Sequence, residues 1–345
     1  MIIAIHNRKG SFSDRWIEYC MVNNVPFKIV NCYDSDIVSQ LTDCDGLMWH
    51  WSHQNYRDQN FARQLILSLE KIGKKVFPDS NTCWHFDDKV GQKYLLESIN
   101  APLVNSYIFY DKKQALEWIN NVTYPKVFKL RGGAGSANVM LVKTKKQAEG
   151  LINSAFGKGF PLVNHSYGIK ETFRKLRLNP DIKTIILTLK VMVRFVIPKQ
   201  NTYHLLPDQK GYVYFQEFIP ENEFDDRIVI IGNRAIAIRR HNRKNDFRAS
   251  GSGIIEHDPT LFDMESIKIS FEIARKIGSK SLAFDIIYNE KKQPAIVEIS
   301  YAYAQGAAYD NCPGYWDDKL HWHDDNVDPQ RYIVEDFIND ISALK

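Results

Sequence analysis

The sequence predicts an α/β fold, and three patterns carry that prediction. Up to about residue 80, short apolar strands alternate with amphipathic helical stretches; strand pairs joined by glycine-rich or polar turns follow; and two strands near the C-terminus each set one carboxylate in an apolar run. The βαβα order argues for a small parallel sheet covered by helices. The late strand pair reads as an antiparallel hairpin.

The elements are expected in this order. Ile2–Ile5 is a strand, residues 14–23 a helix, Phe27–Val30 a strand, and Asp36–Leu41 a helix with Ser35 as its cap. Leu47–Trp51 is a strand, Arg57–Ile72 an amphipathic helix stopped by Gly73, and Lys75–Phe77 a strand. Ligands on such sheets sit at the carboxyl ends of strands, where Asn7, Arg8, His50 and His53 fall; a purely structural role for the two histidines is the alternative. A helix at residues 87–98 carries Lys89. A second α/β region has a strand at Tyr107–Tyr110, a helix at Lys112–Asn120 and a hairpin across Val127–Val142. Residues 158–212 read as a basic helical insertion containing Lys170, Arg174, Lys175, Arg177, Lys183 and Lys190; a solvated face accounts for that run as well as an anion site does. Strands at Tyr212–Phe218 and Arg227–Arg239, a helix at Ile267–Ile277, strands at Leu282–Tyr288 and Ala295–Ser300, an aromatic Asp/His-rich loop at 303–330 and a helix at Val334–Leu344 complete the chain. The expected domains are 1–85, 86–215 and 216–345.

Composition narrows the function classes. A chain of 345 residues with 44% hydrophobic and 25% charged residues is an ordinary globular composition, long enough for two or three small domains. The net charge of +4 makes no case for nucleic acid. No apolar run reaches the roughly 18 residues of a membrane span, and the N-terminus lacks the order of charge and apolar residues of a signal peptide. The five cysteines are scattered without a C-x-x-C pair, which fits reduced thiols in the cytoplasm.

Four constellations carry chemistry. The first is the late hairpin, SLAFDIIYN and PAIVEIS around the turn NEKKQP. Pairing Tyr288 with Ala295 sets Ile287 against Ile296, Ile286 against Val297, and Asp285 opposite Glu298. Two carboxylates so placed repel, and a cation or the protonation of one relieves them. Hard oxygen ligands suit Mg²⁺ bound to phosphates, and Ser300 shares the face of Glu298 by the two-residue strand period. Solvent-facing carboxylates are the alternative. The second is FKLRGGAGSANVMLV, where Lys129 precedes Gly132, Gly133 and Gly135; glycines let backbone N–H groups approach a phosphate, although a plain turn has the same composition. Neither a Walker loop nor a dinucleotide fingerprint is present. The third is YFQEFIPENEF, whose extended QEFI segment would offer backbone groups to an adenine edge, Phe218 and Ile219 apolar walls, and Glu221 or Glu223 a ribose contact. The fourth is IRRHNRKNDFRASGSG, which concentrates Arg239, Arg240, Arg243 and Arg248; arginine forks bind carboxylate or phosphate bidentately, and a surface basic patch is the alternative. Cys312, His321, His323, Asp324 and Asp325 do not form a zinc-specific pattern, and a packing or substrate-facing loop is expected of them.

The order and spacing of these four elements resemble the ATP-grasp superfamily over roughly the whole chain, with an N-terminal pre-ATP-grasp parallel-sheet domain. By that resemblance Lys89 and Lys129 are the two ATP lysines, Gly132–Ser136 (with Gly133 and Gly135) the loop over the phosphates, Gln216, Glu217, Phe218 and Ile219 the adenine hinge, and Glu223 the ribose acid. Asp285 and Glu298 match the magnesium carboxylates, with Ser300 where Asn is usual. Asp225-Asp226-Arg227, Arg240 and Asp246-Phe247-Arg248 are similar to ligases that add amino acids to ribosomal proteins or close graspetide rings. The tail CPGYWDDKLHWHDD and the phrase DFRASGSG resemble uncharacterised ATP-grasp proteins associated with bacterial surface polysaccharide synthesis. The resemblance implies ATP and Mg²⁺ as cofactors and a carboxylate activated as an acyl phosphate, with Arg240 and Arg248 as catalytic residues. It implies small carboxylate and amine substrates, such as an amino acid and a uronic acid of a glycan precursor, with no nucleic acid and no membrane insertion; a homodimer is compatible with it. A peptide- or protein-modifying ligase is the first alternative, and a nucleotide-binding regulatory protein with degraded catalysis, suggested by Ser300, the second.

Overall fold

The computed structural model describes residues 1–133, 138–162, 176, 185–186, 205–243, 246–249 and 251–343. The described residues form two compact units. The first comprises Met1–Ser52, Arg57–Val104 and Ile219–Lys345; the second comprises His53–Tyr56 and Asn105–Phe218.

The first unit begins with the strands β1 (Ile3–His6), β2 (Phe27–Val30), β3 (Gly46–Met48) and β4 (Lys75–Phe77), which form a parallel sheet in the order β2-β1-β3-β4. Helices at Phe12–Val22 and Tyr56–Lys71 connect them, so the alternating pattern reads correctly to within a residue or two, except that the third strand ends at Met48 and not at Trp51. Ser11 caps the first helix by accepting from the Ser13 N–H, and at Ile37–Gln40 the cap position is Asp36 instead of Ser35.

The second sheet of this unit is antiparallel. It contains β9 (Phe224–Ile231), β10 (Arg234–His241), β11 (Ile255–Glu256), β12 (Ser281–Tyr288), β13 (Pro294–Ser300), β14 (Gly314–Asp317) and β15 (Trp322–Asp324). Its order is β13-β12-β9-β10-β14-β15, with β11 on β10. The Met264–Ile277 helix packs Ile267, Phe271 and Ala274 on one face, against Ile228, Ile230 and Phe284. The other face buries Val229, Ile231, Ile236 and Ile238 in one core with Ile3, Ile5, Phe12 and Trp16 of the N-terminal region and Tyr332 and Phe337 of the Pro329–Ser342 helix. Burial on both faces explains why these strands read as unbroken apolar runs rather than alternating ones. One expectation changes here. The 303–330 segment is not one irregular loop: it contains a short helix at Ala307–Asp310 and the β14–β15 hairpin. Its Asp and His residues pair with neighbours, His323 with Asp317 at 2.9 Å and Asp325 with Arg331 at 2.8 Å, and among the described residues no three acidic, His or Cys side chains gather as a metal site.

The second unit holds an antiparallel sheet of β5 (Ser106–Phe109), β6 (Lys126–Lys129), β7 (Val139–Val142) and β8 (Val213–Glu217), in the order β5-β8-β6-β7. Helices at Lys112–Trp118 and Lys145–Ala155 bury Ala115, Ala148 and Ile152 against Phe128 and Phe215 on one side of it. The second helix is capped by Thr144 and has no counterpart among the expected elements. The basic residues from Lys170 to Lys190 lie outside the described residues. Among the described residues no helix is long and apolar enough to cross a membrane.

Candidate active site

The hairpin of β12 and β13 sets Asp285 opposite Glu298, by a different route from the one expected. Asn289 closes a tight loop: its N–H donates to the Gln293 carbonyl at 3.0 Å and its carbonyl accepts from Lys292, a residue at φ 59°. The strands therefore pair one residue further in than expected, Tyr288 with Pro294 and Ile286 with Ile296. A β-bulge at Val297 then restores the opposition of the two acids.

The two carboxylates do not face each other uncompensated. Arg227 on β9 clasps Asp285 through Nε and Nη2, 2.6 and 2.8 Å away, and Arg240 on β10 reaches it at 3.0 Å. Arg240 in turn is held bidentately by Asp225, at 2.6 and 2.7 Å. Both arrangements follow from register, since Arg227 pairs directly with Asp285 and Arg240 with Asp225. Burial works to raise the Asp285 pKa, but the two guanidinium groups outweigh it and hold the carboxyl well below the usual range. At Asp225 burial wins over Arg240, and the charge of Asp285 adds to the rise. Of the two forms of relief expected, a cation or the protonation of one acid, Asp285 therefore has the first, in the guanidinium groups of Arg227 and Arg240.

Glu298 has its own cation. Lys89, 5% exposed, lies 3.2 Å from its Oε1. Asp88 caps the Lys89–Ser98 helix, and Gln92 in the first turn accepts from the Ile299 N–H on β13, which docks the helix beside Glu298. Burial acts to lower the Lys89 pKa, yet Glu298, Asp87 and Asp88 leave it raised. Ser300 follows on the same face as Glu298, with its hydroxyl donated to the Ala302 carbonyl at 2.6 Å.

The remaining arginines separate. Arg239 turns to the opposite sheet face, where Asp226 holds it at 2.8 and 3.0 Å and Tyr288 bonds the same acid. Arg248 folds onto Asp246, 2.9 and 2.5 Å away, in a loop closed by the Arg243 N–H bond to the Arg248 carbonyl. Glu223 is exposed at the approach to β9.

In the second unit, strand alternation sorts the expected nucleotide residues onto two faces. Lys129, Tyr214 and Gln216 share the face opposite the helices, all 5% exposed or less, and Gln216 donates to Ser106 at 3.0 Å. Glu217 points to the other face, where Lys126 holds it at 2.6 and 2.8 Å. Its side chain is thus committed to an ion pair. Gly132 and Gly133 begin the loop after β6; Gly133 has φ 106°, and an added Cβ there would strike the Asn138 amide. Gly135 and Ser136 lie outside the described residues. The two units meet in sequence between Phe218 and Ile219.

No family model matches the chain. A curated relative, the alpha-aminoadipate–LysW ligase LysX of Saccharolobus solfataricus, is 22% identical over 71% of this chain and 72% of its own. Among solved structures, a RimK domain ATP-grasp protein of Sphaerobacter thermophilus superposes with a TM-score of 0.52 at 14% identity, over 87% of this chain and 90% of that one. The ATP-grasp ligase PsnB bound to a minimal precursor gives 0.56 at 13% identity and 98% coverage of both. D-alanine–D-alanine ligase of Bacillus anthracis gives 0.52 at 14%, over 99% and 97%. The chain shares the fold of these ATP-grasp proteins.

Within this ATP-grasp fold, reading the sequence missed three participants. Arg227 was noticed only as part of a resemblance, and its bond to Asp285 was not foreseen. A local signal existed only for the Arg240–Asp225 pair, whose register the Gly232-Asn233 turn sets; the Arg227–Asp285 pair depends on β12 lying beside β9. Lys126, one residue ahead of the expected Val127–Val142 hairpin, was given no role. Tyr309 was passed over, yet it is fully buried, its hydroxyl has no hydrogen-bond partner among the described residues, and it feels the charges of Arg227, Arg240 and Asp285; burial pushes it up to about 12.

Proposed function

We propose that this chain is an ATP- and Mg²⁺-dependent carboxylate–amine ligase. The observation that carries the reading is the one-sided cluster of Arg227, Arg240, Asp285, Glu298 and Lys89. Arginines braced by fixed acids present preorganised positive charge to a reacting carboxyl group. The ligase names of the similar proteins support it.

The donor set suits magnesium, which prefers hard oxygen ligands and keeps several from phosphate and water. A carboxylate has about four lone-pair sites. Arg227 uses one on Asp285 Oδ1, and Glu298 Oε2 has no bond among the described residues, so each acid retains an acceptor. Asp285, Glu298 and the Ser300 oxygen would hold the ion, which when bound offsets phosphate charge.

Lys129 and Gln216 would bind the nucleotide, with backbone N–H groups of Gly132 and Gly133 near its phosphates. The γ-phosphoryl group passes to a carboxylate oxygen, giving an acyl phosphate and ADP. An amine then attacks the acyl carbon, phosphate leaves, and the amine loses a proton. Arg227 and Arg240 stabilise the tetrahedral oxyanion in that second step, and no nucleophilic side chain is required. An amino acid and a uronic acid are the substrate pair to try first, from the resemblance of the tail; a peptide carboxylate is second, because PsnB has been solved with its precursor. The test is Mg²⁺-dependent ADP release with amino acids, uronic acids, their nucleotide sugars and acidic peptides. Release that requires both an acid and an amine supports the reading; hydrolysis of ATP indifferent to either refutes it.

A further inference from the structure

Across β9, β10 and β12 the pairing sorts side chains into rows on one sheet face. Ile236, Val229 and Ala283 form one row, and Ile238, Arg227 and Asp285 form the next, about 7 Å further along the strands. The first row lies in the apolar core that also buries Tyr309 and Cys312. Tyr309 therefore sits where that core gives way to the charged cluster, and the charges of Arg227, Arg240 and Asp285 all act on it.

The chain around Tyr309 is pinned. It belongs to the short helix Ala307–Asp310. Arg15 clasps Asp310 at 2.7 and 2.8 Å, His257 Nε2 lies 3.0 Å from the Ala308 carbonyl, and the Cys312 thiol reaches the Ala237 carbonyl of β10 at 3.8 Å. The ring packs edge-on to Tyr303, 5.5 Å between centroids. A ring so held is fully buried, yet its hydroxyl bonds nothing among the described residues. Buried polar groups are normally bonded, and each exception calls for a role.

Arg227 is the neighbour with a reason to move. Its Nε and Nη2 are committed to Asp285, its one acid within ion-pair distance among the described residues. Arg240, by contrast, keeps both bonds to Asp225 whatever happens at Asp285. Once Asp285 serves a doubly charged ion, it holds a guanidinium group less well, and the ion repels that group. The Tyr309 hydroxyl is a neutral acceptor placed to take it.

We propose that Tyr309 is a second seat for Arg227: the guanidinium group bonds Asp285 in the metal-free protein and gives one N–H of its Nε–Nη2 edge to the Tyr309 hydroxyl oxygen when Asp285 binds Mg²⁺. The inference rests on the reading of Asp285 as a magnesium ligand. The move is internal, so the sealed hydroxyl needs no path from solvent. Tyr309 is thus a positioning residue, which keeps Arg227 at the reacting acyl group while the metal is bound.

The two states give Tyr309→Phe effects that a purely structural tyrosine would not show. Without metal the hydroxyl bonds nothing, so its loss is expected to leave the melting temperature of the full chain unchanged or raised. With metal the seat is lost. Mn²⁺, whose free form is counted by electron paramagnetic resonance, is expected to bind the variant about tenfold more weakly in saturating ADP, the scale of one hydrogen bond to a charged group. ADP alone is expected to bind both proteins equally. A lowered metal-free melting temperature, as from a packing role or a bond to a trapped water, overturns the proposal. The chain carrying 3-fluorotyrosine at position 309 gives a second readout: its fluorine resonance is expected to shift when Mg²⁺ joins ADP, and an unmoved resonance also overturns the proposal. Mn²⁺ bound equally by wild type and Tyr309→Phe overturns the second seat alone, whereas a wild type that binds no Mn²⁺ with ADP overturns the metal reading of Asp285 together with it.

Discussion

Arg227 and Asp285 are a bidentate ion pair, 2.6 and 2.8 Å, on neighbouring strands of one sheet. The pair reverses an expectation. Opposed acids alone would be relieved by neutralising one; here neutralising Asp285 strips the buried Arg240 and the half-buried Arg227 of an ionised partner. Breaking one side of a buried pair typically costs about 3–5 kcal/mol. Asp285→Asn is therefore expected to lower the urea midpoint clearly as well as to abolish turnover. An unchanged midpoint would show that Arg227 and Arg240 are neutralised by other means.

Glu298 separates metal binding from stability better, because it is more exposed and its Oε2 is open. Glu298→Gln is expected to keep the fold, with a small loss from Lys89, and to remove Mg²⁺-dependent ATP turnover. Ser300→Asn supplies a carbonyl oxygen on the same face and is expected to be tolerated or to tighten Mg²⁺ binding. Wild-type turnover in Glu298→Gln at limiting Mg²⁺ would take Glu298 out of the metal site.

The second unit offers a matched comparison between two buried lysines of β6. Lys129 shares a face with Gln216, whereas Lys126 is spent on Glu217. Lys129→Ala is expected to weaken ATP binding at least tenfold, about 1.4 kcal/mol. Lys126→Met is expected to lower the melting temperature while leaving ATP affinity within a few fold. Calorimetric titration with ATP checks both, and the reverse pattern would exchange their roles.

What could be read from the sequence follows from the range of the interactions. The parallel sheet was legible because its strands and helices are set by local periodicity. Asp285 and Glu298 were legible because isolated acids in apolar strands stand out. The bulge at Val297 was not, since it depends on how Asn289 closes the turn and on pairing with β9. The partners of Asp285 come from strands far away in sequence, and only the sheet order brings them together. Lys126 escaped notice because a lysine in a strand ordinarily faces water, and only the cross-strand Glu217 explains its burial.

Acid stability gives the last prediction. His6 and His85 are 5% and 0% exposed, and each has its pKa lowered from 6.5 to about 4, by burial in both cases and at His6 by Arg8 as well. A histidine whose folded pKa is depressed is neutral in the native state, while the unfolded chain takes up a proton below about pH 6.5. Its contribution is therefore complete above that value, falls as the pH drops from about 6.5 to about 4, and levels off once both states are protonated. A gap of about 2.5 units corresponds to about 3 kcal/mol per histidine across the window. Asp285 adds little to this slope, because above about pH 4.5 its carboxyl is ionised in the folded and the unfolded chain alike; its contribution is lost at lower pH, where only the unfolded chain takes up the proton. Urea unfolding at intervals from pH 7.5 to 4.5 is expected to show a steady loss of stability, and His85→Phe is expected to remove about half of the slope whatever it does to stability at pH 7.5. A profile flat between pH 6.5 and 5, or a slope unchanged by His85→Phe, would show that these histidines are protonated in the folded protein.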